Sequence, residues 1–175
     1  TTEIYTLSLH DALPILDLEL IGEKYRDLQT KVHPDRFADA GEQKKLAAVQ
    51  YSSYLNDAFG TLVSPIKRAA YMLVLHDLDI EHFNQSELSM DLLLEQMRLR
   101  EALDGLSKEE SQLAELSELK AEVAKKFQQS QLSFASYVDK GELLAAKQTF
   151  HEMQFLNKLL TEIETKEEQI GRAHV

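Results

Sequence analysis

The tripeptide His33-Pro34-Asp35 places an imidazole and a carboxylate on either side of a rigid ring. Two such groups could act as an acid–base pair, but the intervening proline is expected to point them apart. No candidate nucleophile is linked to them by a motif. The chain has no Cys, and therefore no thiol nucleophile, thiolate ligand or disulfide. It also has no Gly-rich phosphate loop and no His-x-x-x-His or Glu-x-x-His pair on a helical segment. His10, His76, His82, His151 and His174 are scattered, and each reads as a surface or satisfied histidine. These residues predict no enzyme, no metal and no cofactor. The tripeptide reads instead as a polar plug at the tip of a helix pair, a surface for engaging another protein.

The elements that must carry this plug are helical. Leu, Ala, Glu, Lys and Gln dominate the 175 residues, with six Gly and three Pro; these are helix-favouring residues. Strand-like alternation of Val, Ile and Thr is missing, so an all-α protein is expected. The length suits one or two small domains. A formal charge of -11 disfavours nucleic acid as a partner. Residues 22–36 are the least acidic part, where Lys24, Arg26, Lys31 and Arg36 outnumber Glu23, Asp27 and Asp35 by one. No apolar run approaches the roughly 20 residues that span a bilayer. No membrane partner is expected, and the cytoplasm is the expected location.

In the first half, Ile21, Tyr25, Leu28 and Val32 recur at helical spacing in a segment read as Glu23 to Val32. Pro34 disfavours helical dihedrals at His33 and ends that helix. A second helix from Glu42 to Leu62 is expected to bury Leu46, Val49, Leu55, Ala58, Phe59 and Leu62, completing a helical hairpin. Ser64-Pro65 is a capping residue followed by proline at the first helical position, and opens a third helix through Leu75. Residues 77–88 read as a linker between domains 16–76 and 89–169.

The second half reads as an antiparallel three-helix bundle. Its first helix runs from Ser89 to Asp104; Ser107 and Glu110 form a capping box for the second, which ends at Tyr137. Asp139 with Glu142 is read as the cap of the third. Leu88, Leu92, Leu99, Leu103 and Leu106 share one arc of the first helix. Met90, Leu93, Leu94 and Met97 lie on the other side, with Glu101 continuing the line. Leu143, Ala146, Phe150, Met153 and Leu160 share one side of the last helix, and Phe155 points away from them. The second stripe and Phe155 could together form one apolar partner-binding surface, to which flexible Met side chains adapt well. A different reading makes this chain a helical adaptor that dimerises through the Met90–Met97 stripe.

The run Tyr25-Arg26-Asp27-Leu28-Gln29-Thr30-Lys31-Val32-His33-Pro34-Asp35-Arg36-Phe37 resembles a J-domain, as do Asn56-Asp57-Ala58-Phe59 and Pro65-Ile66-Lys67-Arg68-Ala69. Leu93 to Glu101 and the pair Phe155-Leu156 narrow the resemblance to the HscB family, J-type co-chaperones of iron–sulfur cluster assembly. It covers residues 16–165. The resemblance implies docking on an HscA-type ATP-dependent chaperone through His33, Pro34 and Asp35, with Arg26 and Lys31 as basic contacts. It further implies binding of an IscU-type scaffold through Leu93, Leu94, Met97 and Phe155, with Arg100 and Glu101 at the polar rim, and regulation of the partner's ATPase. Arg98 stands where the family often has an acidic residue.

Thr1–Ile15 matches the family's aromatic-rich opening only loosely. This string and Ile170–Val175 look like translated adapter sequence. The authentic chain is then expected to begin near Leu16 and to lack the native first J-domain helix.

Overall fold

The computed structural model describes residues 16–37, 41–80, 88–106 and 113–172, and every regular element among them is helical. The helices are α1 (Leu18–Val32), α2 (Glu42–Val63), α3 (Pro65–Leu75), α4 (Met90–Gly105), α5 (Leu113–Asp139) and α6 (Leu143–Arg172). A 3-10 turn, Pro34–Phe37, follows α1. The all-α expectation holds. The chain divides into two compact units between Met72 and Leu73, inside α3, whereas the sequence reading put a linker at 77–88. Residues 81–87 of that linker lie outside the described residues.

In the first unit α1 begins at Leu18, five residues earlier than the apolar spacing indicated. Asp17 Oδ1 accepts the Leu20 amide at 3.0 Å and supplies the N-cap. The helix stops where proline requires, with His33 extended at ψ 128°. Tyr25 fastens α1 to α2. Its ring stacks on Phe59 at 4.0 Å, and its hydroxyl donates to Asn56 Oδ1 at 2.8 Å while accepting from Gln29 Nε2 at 3.0 Å.

The buried face of α2 differs from the expectation at its start. Leu55 and Ala58 are buried, as expected, and Phe59 and Leu62 are half-buried. Leu46 and Val49, by contrast, are 60% and 52% exposed. Leu46 precedes Leu55 by two and a half turns and so falls on the opposite face; Ala48 takes the inward position. At the end of α2 the Arg68 guanidinium donates to the Leu62 carbonyl, while Ser64 Oγ accepts the Lys67 amide and caps α3. Burial lowers the Arg68 pKa from its usual range.

The second unit is a three-helix bundle. Its core joins Leu99 and Leu103 of α4 to Leu116, Leu119 and Val123 of α5 and to Leu156, Leu159, Ile163 and Ile170 of α6. Leu88, Leu92 and Leu106, expected in the same arc as Leu99, are half-buried. The cross-helix ion pairs give the directions. Glu95 meets Lys126 and Arg98 meets Glu122, so α5 runs against α4. Arg100 meets Glu162, and Lys166 reaches the Leu103 carbonyl, so α6 runs with α4.

One boundary differs from expectation. Asp139 belongs to α5 and does not cap α6. The turn is made by Gly141 at φ 72°, with Gly141 N–H donating to Val138 and Glu142 N–H to Tyr137. That pair of bonds is a Schellman motif, in which a left-handed glycine closes a helix without strain. At the C-terminus α6 continues through Arg172 and buries Ile170 in the core cluster. The Ser107–Glu110 capping box and Thr1–Ile15 lie outside the described residues.

Candidate functional site

Two surfaces carry the residues singled out from sequence. The first is the tip of the α1–α2 hairpin. His33 caps α1 and Pro34 begins the 3-10 turn, in which the Arg36 amide donates to the His33 carbonyl at 3.0 Å. Pro34 does not point the two polar groups apart, as had been expected. The Asp35 amide donates to His33 Nδ1 at 3.3 Å, and Asp35 Oδ2 lies 3.6 Å from the same nitrogen. A tight turn folds residue 35 back over residue 33, whereas an extended chain would separate them. With Nδ1 accepting, the neutral ring carries its proton on Nε2. Arg36 Nη1 reaches back to the Thr30 carbonyl at 3.2 Å and ties the turn to α1. His33 and Asp35 both remain exposed.

The expected basic contacts do not share a face. Arg26 and Lys31 are five residues apart, about 140° around a regular helix. Lys31 pairs with Asp27 at 2.6 Å. The Arg26 guanidinium lies beside Gly22, 3.4 Å from where a Cβ would stand on that buried glycine. Lys24, seven residues before Lys31 and exposed, shares the Lys31 flank within about 20°. The sequence places Lys24 in the basic stretch without making it a contact, although its i, i+7 spacing to Lys31 was the signal that could have done so.

The second surface is the outer stripe of α4. Met90, Leu94 and Met97 are 69%, 56% and 59% exposed, while Leu99 and Leu103 on the opposite side are buried. Ser89 Oγ accepts the Leu92 amide and starts the helix. Glu101 is exposed one turn beyond Met97. Leu93 is half-buried on the flank toward α6. Phe155 is also half-buried and packs against the bundle core, which differs from an outward-pointing ring. Leu93 and Phe155 each precede the Arg100–Glu162 pair by seven residues on helices running the same way. They therefore lie at one level, about 10 Å along the bundle from that pair.

Several polar groups around the stripe are engaged. Arg100 pairs with Glu162 and, at 3.5 Å, with Asp104. Arg98 makes two 2.9 Å bonds to Glu95 and another to Glu122, and Lys126 reaches Glu95 at 2.7 Å. The Arg98 hydrogen bonds, followed by that of Lys126, push the Glu95 carboxyl down to about 2. Lys166 donates to the Leu103 and Leu106 carbonyls and satisfies the C-terminus of α4. Among the described residues no cluster of three or more His, Asp or Glu could hold a metal. No described helix is long and apolar enough to cross a membrane.

Residues 88–164 match the family described as the HSCB C-terminal oligomerisation domain. Over 158 residues the chain is 35% identical to the co-chaperone protein HscB homolog of Shewanella woodyi, covering 89% of this chain and 91% of that relative. The corresponding protein of Vibrio atlanticus is also 35% identical, over 155 residues. The fold matches chaperone HscB from Vibrio cholerae with a TM-score of 0.82 at 32% identity, covering 96% of this chain and 97% of that one. It matches human co-chaperone protein HscB with a TM-score of 0.80 at 25% identity, covering 88% and 76%. An all-helical chain that carries a His-Pro-Asp turn in one unit and an exposed apolar stripe in the other, with this likeness along most of its length, belongs to the HscB family of co-chaperones.

Proposed function

We propose that this chain is a J-type co-chaperone of iron–sulfur cluster assembly. In this reading it binds an IscU-type scaffold, delivers it to an HscA-type chaperone and stimulates that chaperone's ATPase, itself catalysing nothing. The observation that supports this most is the apolar stripe on α4, exposed at Met90, Leu94 and Met97 and separate in sequence from the His33–Asp35 turn. Exposed contiguous apolar surface marks interaction sites, and a polar turn with no nucleophile suits docking better than chemistry. The working units are a J-domain (16–76) and a scaffold-binding bundle (89–169), acting in the cytoplasm.

Holding both partners at once makes their encounter intramolecular and raises the scaffold's effective concentration at the chaperone. Docking of the turn on the ATP-bound chaperone favours the hydrolysis-competent state, a coupling between two sites. His33, Pro34 and Asp35 make that contact, with Arg26 on one flank and Lys31, joined by Lys24, on the other. Leu93, Leu94, Met97 and Phe155 hold the scaffold. Glu101 lies at the rim, and Arg100 supports it from within its ion pairs. The test is an ATPase assay of the chaperone with and without scaffold. His33→Gln is expected to abolish stimulation and to leave scaffold affinity unchanged. Normal stimulation by that variant would sink the proposal.

The family description as an oligomerisation domain favours one further reading, self-association through the same stripe. Sedimentation decides it: a concentration-dependent dimer that Met97→Lys abolishes supports self-association, and a monomer at all concentrations removes it.

A further inference from the structure

We propose that the ion pairs linking α4 to α5 select which face of α4 is offered to a partner, making Arg98 and Glu122 positioning residues for the stripe. The proposal rests on the scaffold-binding reading for its functional consequence and on the bundle geometry for the rest. Helix α4 is apolar on two opposite sides. Leu92, Leu99 and Leu103 lie on one side, and Met90, Leu94 and Met97 lie about 140–200° around the axis from Leu99. In the N-terminal half of α4 hydrophobic burial therefore discriminates poorly between the two faces; beyond Met97 the outer line carries the exposed Glu101 and Asp104, and only the leucine side suits the groove.

The charged residues do discriminate. Glu95 and Arg98 lie on the flank that meets α5, where they pair with Lys126 and Glu122. Arg100 lies on the other flank, about 160° from Arg98, and pairs with Glu162 of α6. A half-turn rotation of α4 would exchange these flanks. Arg98 would then leave Glu122, and the Glu95 carboxylate would leave Lys126 for the side holding Glu162. Isolated exposed pairs contribute little to stability. As a set they penalise one orientation and satisfy the other, which is the established use of polar groups in fixing helix register. Arg98 joins Glu95 of its own helix to Glu122 of α5.

The test uses the full chain, Arg98→Glu, and Arg98→Glu combined with Glu122→Arg, which restores opposite charges in reversed order. The first readout is calorimetric titration with purified cluster-free scaffold. The second needs no scaffold. Because the chain has no Cys, single substitutions Met97→Cys and Leu92→Cys report, by their thiol-labelling rates, on the outer and inner faces of α4. Arg98→Glu is expected to weaken scaffold binding at least tenfold and to lower the ratio of outer to inner labelling at least fivefold. The reversed pair is expected to bring both within threefold of the parent, with thermal midpoints confirming folded protein throughout. An unchanged labelling ratio in Arg98→Glu overturns the proposal, as does a lowered ratio that the reversed pair fails to recover. If the parent does not bind scaffold but the labelling ratios behave as expected, the clamp stands and the scaffold reading falls.

Discussion

At His33-Pro34-Asp35 polar groups face solvent and an aromatic stack holds them in place. On α4 apolar groups face solvent and, alongside Leu99 and Leu103, charged pairs hold them in place. The two regions are therefore sensitive to different perturbations. Contacts made by exposed charges act over about a Debye length and weaken with salt. Contacts made by Met and Leu depend on area removed from water and survive salt. Under the proposed function, one partner is engaged by a salt-sensitive surface and the other by a salt-tolerant one.

The comparison can be broken most sharply at the stripe. Leu93→Ala with Phe155→Ala is expected to weaken scaffold binding by about 2–4 kcal/mol, the range of buried apolar hot spots, without changing the effect of the turn on the chaperone. Calorimetry showing unchanged affinity refutes the patch. Next in size is the support of the turn. Tyr25→Phe keeps the ring on Phe59 and removes the hydroxyl that joins Asn56 and Gln29. A loss of about 1–2 kcal/mol in denaturant unfolding is expected, and an unchanged midpoint would show that these bonds add nothing.

Gly141→Ala places a Cβ on a residue at φ 72° and is expected to cost about 1–2 kcal/mol, measured by thermal unfolding. Acid titration reads the clamp. The Glu95 carboxyl titrates at about 2, below its unfolded value, so its stabilisation is complete above the ordinary carboxylate range and lost as pH falls toward 2. Monitored by α4 hydrogen exchange, Glu95→Gln should remove that dependence; an identical acid profile in the variant argues against it. The smallest effect is expected for Lys31→Ala, below about 0.5 kcal/mol in stability because its pair with Asp27 is exposed. Its effect on ATPase stimulation should be larger and should fade with salt.

Much of this was legible from residue spacing. Proline fixed the end of α1, Ser64-Pro65 the start of α3, and the two-sided pattern of α4 anticipated both its buried leucines and its exposed methionines. The misreadings have physical causes. Leu46 and Val49 are apolar but half and a third of a helical circumference out of phase with Leu55, so counting hydrophobic residues without fixing the phase put them inside. Asp139 resembled a cap, yet the glycine two residues later closes the preceding helix. The proximity of His33 to Asp35 depends on a tight turn that a three-residue motif does not encode. The ion pairs of Arg98 and Arg100 join helices whose facing depends on tertiary packing, and no local spacing announces them.

The hydrogen bond from Lys166 to the Leu103 carbonyl spans 63 residues of sequence. During vectorial synthesis α4 therefore emerges long before the side chain that completes its C-terminus. At that stage neither the groove that takes the leucine side nor the charged partners on its flanks have been made. The charged partners Glu122 and Lys126 arrive with α5 and the lysine that reaches Leu103 only with α6, so the setting of α4 is completed in two steps.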